Sequence, residues 1–434
     1  MKNKKHQSDD SSKKDNLRQL WAIPMSRSLI VRMMLQRVAG AGFGTAITTL
    51  IAIQSHVAWF PSFSNIDSGM SGLAALGIIS AFGGAGGLLA NSLGHSLVKK
   101  RGVKLSFRIA ASIQFLVVSL FAVAIVLWSL PALGIISLGL LTFVLSASSP
   151  GLSGLARAWW HEIGLSKTLA ARGGSLEPSL AAIAWSVGPV IAAPLVLLTP
   201  WVIVALGGLT ALGLILLSKF PTPLAPPKPI LKTLVPIKTR SKNFVVDWWI
   251  AGSYSFYHIA RSLLNAGSTA VLLGSGQSAL IGAATAAPSI GHSIAGVAFA
   301  ARKNPESKLK KAVLLGLLGQ GAPTLLIALA FWFWPQPNII IAILVVVGGG
   351  VLIGVLKAPV ASAIYPLALV NRPQVTVGRN ASRIANGMIL GGLVGPLLGT
   401  LIIITLGATW LLPFSVLALI ICAVGVMLDN KITR

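Results

Sequence analysis

ARGGSLEPSLAAIAWSVGPVIAA (171–193) and GRNASRIANGMILGGLVGPLLGT (378–400) are two versions of one segment. Setting Arg172 on Arg379 brings Ser175 onto Ser382, Gly188 onto Gly395 and Pro189 onto Pro396, at a constant offset of 207 in a chain of 434 residues. Similarity repeated at close to half the chain length implies a molecule of two related halves. Each copy also carries a small residue every fourth position: Ala184, Gly188 and Ala192 in the first, Gly391, Gly395 and Gly399 in the second. Such a face lets another helix backbone approach closely where lipid supplies no hydrophobic drive. The Gly-Pro pair removes a backbone donor and favours a bend. Plain helix packing accounts for the same spacing. It is the repetition of the whole pattern that gives the bend a role of its own.

The composition is that of a membrane protein. Hydrophobic residues make up 54% and charged residues 10%, and the mean hydropathy is +0.82. A soluble core does not need such a chain. Residues 1–20 are polar and charged, with no apolar h-region, so no cleavable signal peptide is expected and the tail reads as disordered. The single cysteine, Cys422, excludes an intramolecular disulfide and a cysteine metal cluster.

Twelve apolar spans are predicted, near 29–55, 70–97, 106–129, 132–158, 174–198, 200–219, 244–273, 276–301, 310–334, 338–369, 381–406 and 408–428. Each holds the ~20 residues a helix needs to cross the hydrocarbon. The net charge of +26 resembles a nucleic-acid footprint, but its placement argues otherwise. Basic residues cluster only in alternate gaps: 99–104, 167–172, 228–242, 302–311 and 372–379. The intervening gaps, from 56–71 to GATW (407–410), hold no Lys or Arg. The positive-inside rule then places both termini and every basic loop in the cytoplasm, so the number of spans is even. The expected architecture is a disordered cytoplasmic tail (1–27), a six-helix bundle (28–220), a Pro-rich basic cytoplasmic linker (221–243), a second six-helix bundle (244–429) and a cytoplasmic C-terminus (430–434). The linker's six prolines at 221–236 exclude regular helix, and its charge holds it near anionic lipid headgroups.

Twelve spans, a 6+6 duplication and a long central loop resemble the major facilitator superfamily. Gly188-Pro189 followed by Ala192-Ala193, and more closely Gly391-x-x-x-Gly395-Pro396-x-x-Gly399, resemble its motif associated with exporters of the drug/proton antiporter type. SASSPGLSGLARAWW (146–160) with LEPSLAAIAWSVGP (176–189) resembles uncharacterised members common in actinobacteria. GHSLVKKRGVK (94–104) resembles the superfamily's basic loop motif, with Val98 or Lys99 where its gating aspartate normally stands. The resemblance implies an all-α membrane protein, two pseudo-symmetric six-helix bundles, and a central cavity lined by spans one, four, seven and ten.

Polar residues at membrane depth are candidates for function because hydrocarbon disfavours them. Span seven carries Tyr254, His258, Arg261 and Asn265 on one face, with Asp247 nearer the cytoplasm. Arg261 lies roughly 18 Å below the outer end, too deep to snorkel. Span four carries Ser146, Ser149, Ser153 and Arg157, span ten Lys357, and span one Arg32, Gln36 and Arg37. The expected cavity set is Tyr254, His258, Arg261, Asn265, Lys357, Ser149, Ser153 and Arg37. The expected gating and packing set is Gly188, Pro189, Gly391, Gly395, Pro396, Gly399, Arg172, Glu177 and Arg379. Pro178 suits a first helical turn, which puts Glu177 at a helix mouth, complementing the positive helix end. His258, Glu177 and Asp247 are the candidates for proton coupling.

The nine acidic residues include none deep in the membrane, whereas Arg261 and Lys357 favour an anionic or neutral ligand. No GxxxxGK[ST] loop, HExxH or nucleophile elbow occurs, so neither ATP drive nor enzymatic chemistry is expected, and no cofactor. The expected activity is secondary active transport of a small organic solute across the cell membrane by alternating access, as a proton-coupled exporter. The expected partners are that solute, a coupling proton and membrane lipids, with the protein a monomer and no nucleic acid involved. An importer or facilitator of an anionic metabolite, and a transport-inactive scaffold, remain as alternatives.

Overall fold

The computed structural model describes residues 17–53, 68–126, 131–148, 167–220, 244–300, 309–333, 338–369 and 374–428. These form twelve long helices, and among the described residues there is no strand. We number them α1 (Pro24–Ile53), α2 (68–101), α3 (103–126), α4 (Pro131–Ser148), α5 (Lys167–Leu198), α6 (Val202–Ser218), α7 (Phe244–Gly274), α8 (Ile281–Ala300), α9 (Leu309–Phe333), α10 (339–369), α11 (Gln374–Leu406) and α12 (Leu411–Leu428). α10 includes a π-helical turn, Ile343–Gly348. α2 and α3 are separated at Gly102, whose φ of 77° and ψ of 163° break the helix inside the basic KKRGVK sequence. A residue with a Cβ would be strained there.

Among the described residues, seven segments are long and apolar enough to cross a membrane by length and composition, and 135–148 and 202–218 are shorter apolar helices. α1, α7 and α8 fall outside both groups. Two of them carry the polar stripes, α1 with Arg32, Gln36 and Arg37, and α7 with Tyr254, His258, Arg261 and Asn265. The outward faces are apolar. Phe115, Leu116, Leu326 and Leu344 are among the most exposed side chains, as expected of a lipid-facing surface.

The helices pack as two groups, α1–α6 and α7–α12, with matching neighbours. α1 packs on α5 and α6 as α7 packs on α11 and α12. α2 meets α4 as α8 meets α10, and α3 meets α6 as α9 meets α12. The contacts between the groups, α2 with α11 and α5 with α8, exchange under the same operation. This is a pseudo-two-fold pair of six-helix bundles. Each bundle has its own apolar core. Phe43, Val118 and Phe121 anchor one part of the first, with the Phe43 and Phe121 rings edge-on at 5.4 Å. Tyr257, Leu317, Val360 and Leu419 anchor the second.

The duplicated segment explains the closest approaches. A Cβ added at Gly188 of α5 would lie 2.6 Å from the Val38 carbonyl oxygen and 2.7 Å from the Gly42 nitrogen of α1. At Gly395 of α11 it would lie 2.7 Å from Ser262 Cβ and 3.1 Å from Ile259 Cα of α7. Both glycines thus put one helix against the backbone of another, at equivalent places in the two halves. The helix ends at the basic side are matched too. Arg32 Nη1 donates to the Leu216 carbonyl near the end of α6 at 2.8 Å, and Lys310 Nζ to the Met427 carbonyl near the end of α12 at 3.1 Å. Cations there satisfy last-turn carbonyls and complement the helix dipole.

Two expectations change. The N-terminal tail is helical from Leu17 to Ala22 and α1 begins at Pro24, so order starts before residue 27. Leu20 is buried with Leu29, Met33, Phe107 and Leu217, so this short helix is anchored by one apolar side chain. α5 begins at Lys167, so Glu177 lies ten residues inside a helix and not at its mouth. Pro178 is carried within that helix, and the 32-residue length lets α5 run past the hydrocarbon. The linker 221–243 and the C-terminus 430–434 lie outside the described residues.

Gly188→Leu and Gly395→Leu force a side chain against backbone that cannot yield. Each is expected to lower stability by about 1–3 kcal/mol or more. Thermal unfolding and monodispersity of the purified variants check this, and a wild-type melting temperature in both variants would contradict the packing.

Candidate functional site

A cavity of about 490 Å³ lies between the two bundles. α1, α2, α4 and α5 line it on one side, and α7, α8 and α11 on the other. On four helices its residues fall in the halves remote from the basic connections: 40–48 of α1, 73–83 of α2, 262–269 of α7 and 392–403 of α11. The described contacts between bundles lie at the same level. A Cβ added at Gly84 of α2 would be 2.8 Å from Leu393 Cα, and one at Gly282 of α8 would be 2.8 Å from the Pro189 carbonyl oxygen. Thr400 Oγ1 of α11 donates to the Ala74 carbonyl of α2 at 3.2 Å.

The lining is apolar and hydroxylic, with Phe43, Trp185, Leu73 and Ile403 beside nine Ser and Thr residues and Asn265. Among the described residues it contains no charged side chain and none of His, Cys, Asp or Glu. Most of the threonine hydroxyl protons are already used. Thr45 donates to the Ala41 carbonyl at 3.1 Å, Thr48 to Gly44 at 2.9 Å, Thr269 to Asn265 at 2.9 Å and Thr285 to Ile281 at 2.8 Å. A hydroxyl that donates to its own helix keeps its lone pairs, so these groups act as acceptors. The Gly-Pro element adds two more. Pro189 has no N–H for the Trp185 carbonyl, and Pro396 none for the Gly392 carbonyl, four residues earlier in each helix. Trp185 and Gly392 both line the cavity and are themselves 207 residues apart, so the duplication sets on its two sides a pair of residues whose carbonyls lose the usual helical donor.

The sequence-predicted residues separate into groups. Asn265, Pro396 and Gly399 line this cavity. Tyr254, His258, Arg261, Lys357 and Arg37 are not part of its lining. Tyr254 and Tyr257 stack at 5.6 Å, and His258 stands edge-on to them at 4.8 and 5.5 Å, within the second bundle. Gly391 packs against the backbone of Ser255 and His258 Cβ, and Gly188 and Gly395 against α1 and α7 as above. Arg172, Glu177, Asp247 and Arg379 lie in helices whose side chains there are outside the described residues, as are Ser149 and Ser153 altogether. The hydroxyl groups on α1, α2, α8 and α11 were missed. Thr45 and Thr48 beside Gly44, and Ser262, Asn265 and Thr269 at spacings of three and four, are the signal that finds them.

No protein-family model matches the sequence, and no curated protein matches it. Solved structures do. The chain is similar to a bacterial homologue of the iron transporter ferroportin in an inward-facing state, with 14% identity, a TM-score of 0.67, and 96% of this chain and 100% of that one covered. The chain has the major facilitator fold. A D-xylose–proton symporter aligns with 13% identity and a TM-score of 0.65, covering 93% of this chain and 97% of that one. An auto-inhibited POT family peptide transporter gives 13% and 0.66, covering 95% and 97%. In the major facilitator fold, the bundle interface that holds the cavity is the surface along which the two halves meet.

Cys422 is 0% exposed, which makes the wild-type thiol a silent background. Asn265→Cys, on the cavity wall, is expected to react with a small water-soluble thiol reagent in the folded protein, while Cys422 reacts only on unfolding. Equal protection of both thiols would contradict a solvent-accessible cavity at α7.

Proposed function

We propose that this protein is a secondary transporter that carries a small, uncharged, donor-rich organic solute across the membrane by alternating access. The observation that carries the reading is the cavity's lining: hydroxyl lone pairs, two carbonyls without helical donors, the Asn265 amide and aromatic walls, with no charge. Acceptors that face a cavity bind donors, and each unmatched one is unfavourable when water leaves. A polyol or an amide fits this better than an anion, so the lining favours a neutral solute over an anionic metabolite.

Alternating access supplies the mechanism. Bundles related by a pseudo-two-fold rock about a site at their interface. The close contacts of Gly77 with Pro396 and Thr400 on α2–α11, and of Gly282 with Pro189 on α5–α8, lie towards the end remote from the basic loops. The bias of Lys and Arg towards one end makes that end cytoplasmic, so this arrangement corresponds to the inward-facing state, with both termini in the cytoplasm of a cell-membrane protein. The overlap supports that assignment: the TM-score is 0.67 against the inward-facing ferroportin homologue and 0.54 against its outward-facing form. Proton-coupled export is the direction implied by the resemblance of the doubled Gly-Pro element to antiporter exporters. His258, Glu177 and Asp247 are its proton-carrying candidates.

A charge-sorted solute collection tested for thermal stabilisation of the purified protein checks the solute class. Uncharged polyols and amides are expected to stabilise it, and Asn265→Leu to weaken their binding by about tenfold, the effect of one hydrogen bond. Solutes that stabilise are then followed by exchange in proteoliposomes with and without a pH gradient. Stabilisation by anionic solutes alone, or no exchange of any binder, would overturn the reading. Exchange indifferent to the pH gradient would remove the coupling and leave the carrier.

A further inference from the structure

One ring on the cavity wall has no role in holding the fold together. The described lining holds two aromatic side chains, Phe43 and Trp185. Phe43 is 5% exposed, and its ring packs on Phe121 within the core of the first bundle. Trp185 is 51% exposed. Among the described residues its ring meets no other ring and its indole N–H makes no hydrogen bond.

That exposure is not to lipid. Ile183, Val187, Ile191 and Leu195 recur every fourth residue and form an exposed apolar stripe on α5. Trp185 is two residues from both Ile183 and Val187, about 200° round the helix from each. It shares its face with Pro189 and Ala193, one and two turns further on. Those two residues touch Gly282 of α8, in the other bundle: an added Cβ there would lie 2.8 Å from the Pro189 carbonyl oxygen and against Ala193 Cβ. Trp185 therefore continues the interface face of α5 by one turn, beyond the Gly282 contact and along the cavity.

The second half does the opposite at the equivalent place. Pro396 and Thr400 of α11 touch Gly77 of α2 across the interface, and one turn before Pro396 stands Gly392. A Cβ added at Gly392, or at Gly44 of α1 on the same cavity, would meet nothing within 4 Å. Neighbouring side chains thus require glycine at neither position. One wall of the cavity presents an unpartnered indole, and the walls at Gly44 and Gly392 present bare backbone and open space.

We infer that Trp185 is a stacking platform and that the solute is a compact ring. One face of the ring lies on the indole, and O–H or N–H donors on its edge meet the acceptors of the wall. The clearance at Gly44 and Gly392 admits the breadth of the ring. This rests on the neutral, donor-rich solute proposed above and narrows it, because an open chain with the same donors offers no face to the indole. A saturated ring and an aromatic ring share the needed chemistry, an apolar face with a polar edge, and the test separates them.

Two pairs of compounds matched in donors are compared on the purified full-length protein. They are myo-inositol against mannitol, with equal numbers of hydroxyls, and benzamide against hexanamide, each with one primary amide. The readout is the concentration that half-saturates the rise in melting temperature, since a ligand of the folded state stabilises it in proportion to its occupancy. The ring member of one pair is expected to bind about tenfold more tightly than its open-chain counterpart, the order of a stacking contact. Preference within the first pair identifies a saturated ring, and within the second an aromatic one. Trp185→Leu should abolish the preference and leave the melting temperature of the free protein unchanged, whereas Trp185→Phe should keep the preference. Gly392→Leu fills open space and should melt no lower than the wild type, yet weaken binding of the ring compound about tenfold or more. Open chains that bind as tightly as rings overturn the platform, as does a Trp185→Leu protein that keeps the preference. A protein that responds to none of the four compounds also overturns it, whereas the solute class falls only if the wider collection of uncharged solutes fails too.

Discussion

Helices in lipid gain little from simply meeting, because the tails around them are as apolar as their own side chains. What holds this molecule together is therefore distance: backbones brought close enough for dispersion and tight packing to act. The glycines at 188 and 395 do this within each bundle, where an added methyl would collide with main-chain or Cβ atoms of α1 and α7. Gly84 and Gly282 do it between the bundles. The first kind of contact fixes the internal shape of each half. The second kind is a seam between two rigid bodies, and a seam built from small residues can part without unfolding either side.

The same segment that sets the spacing also shapes the chemistry. A proline one residue after each packing glycine withholds an N–H from the carbonyl four residues earlier. In α5 that carbonyl belongs to Trp185 and in α11 to Gly392, and both residues face the cavity. Packing and recognition are thus linked by covalent neighbourhood: the glycine brings the helices together and the proline frees an acceptor beside the gap. Threonines that bond back to their own helices add lone pairs to the same wall. Arg261 and Lys357 are not part of that wall.

Much of the fold was legible in the sequence. The offset of 207, the alternation of basic gaps and the small-residue faces yield two related six-helix halves without further information. The site was legible only in part. A helical stripe shows that a face is polar, not which neighbour it meets. Tyr254, His258, Arg261 and Asn265 share a stripe in sequence, yet Asn265 lines the cavity while the other three do not, because the cavity meets α7 only over 262–269 and the other three lie further along the axis towards the basic end. The hydroxyl groups were overlooked because serine and threonine in apolar helices so often serve only their own backbone. Here they do so and remain acceptors. The short helix Leu17–Ala22 was read as part of the tail because it is a single turn and a half with one buried leucine, Leu20, too short to give a periodic signal.

The central claim is that the two bundles meet along α2 and α11 in a seam that must open for the protein to work. An added Cβ at Gly77 would lie 3.3 Å from Thr400 Cβ, close to the roughly 3.5–4.5 Å that a disulfide spans. Gly77→Cys with Thr400→Cys, in a Cys422→Ala background, measures this directly. Mild oxidation should cross-link the pair and stop solute exchange in proteoliposomes, and reduction should restore it. A pair that never cross-links, or a cross-linked protein that exchanges solute as fast as the reduced one, would contradict the account.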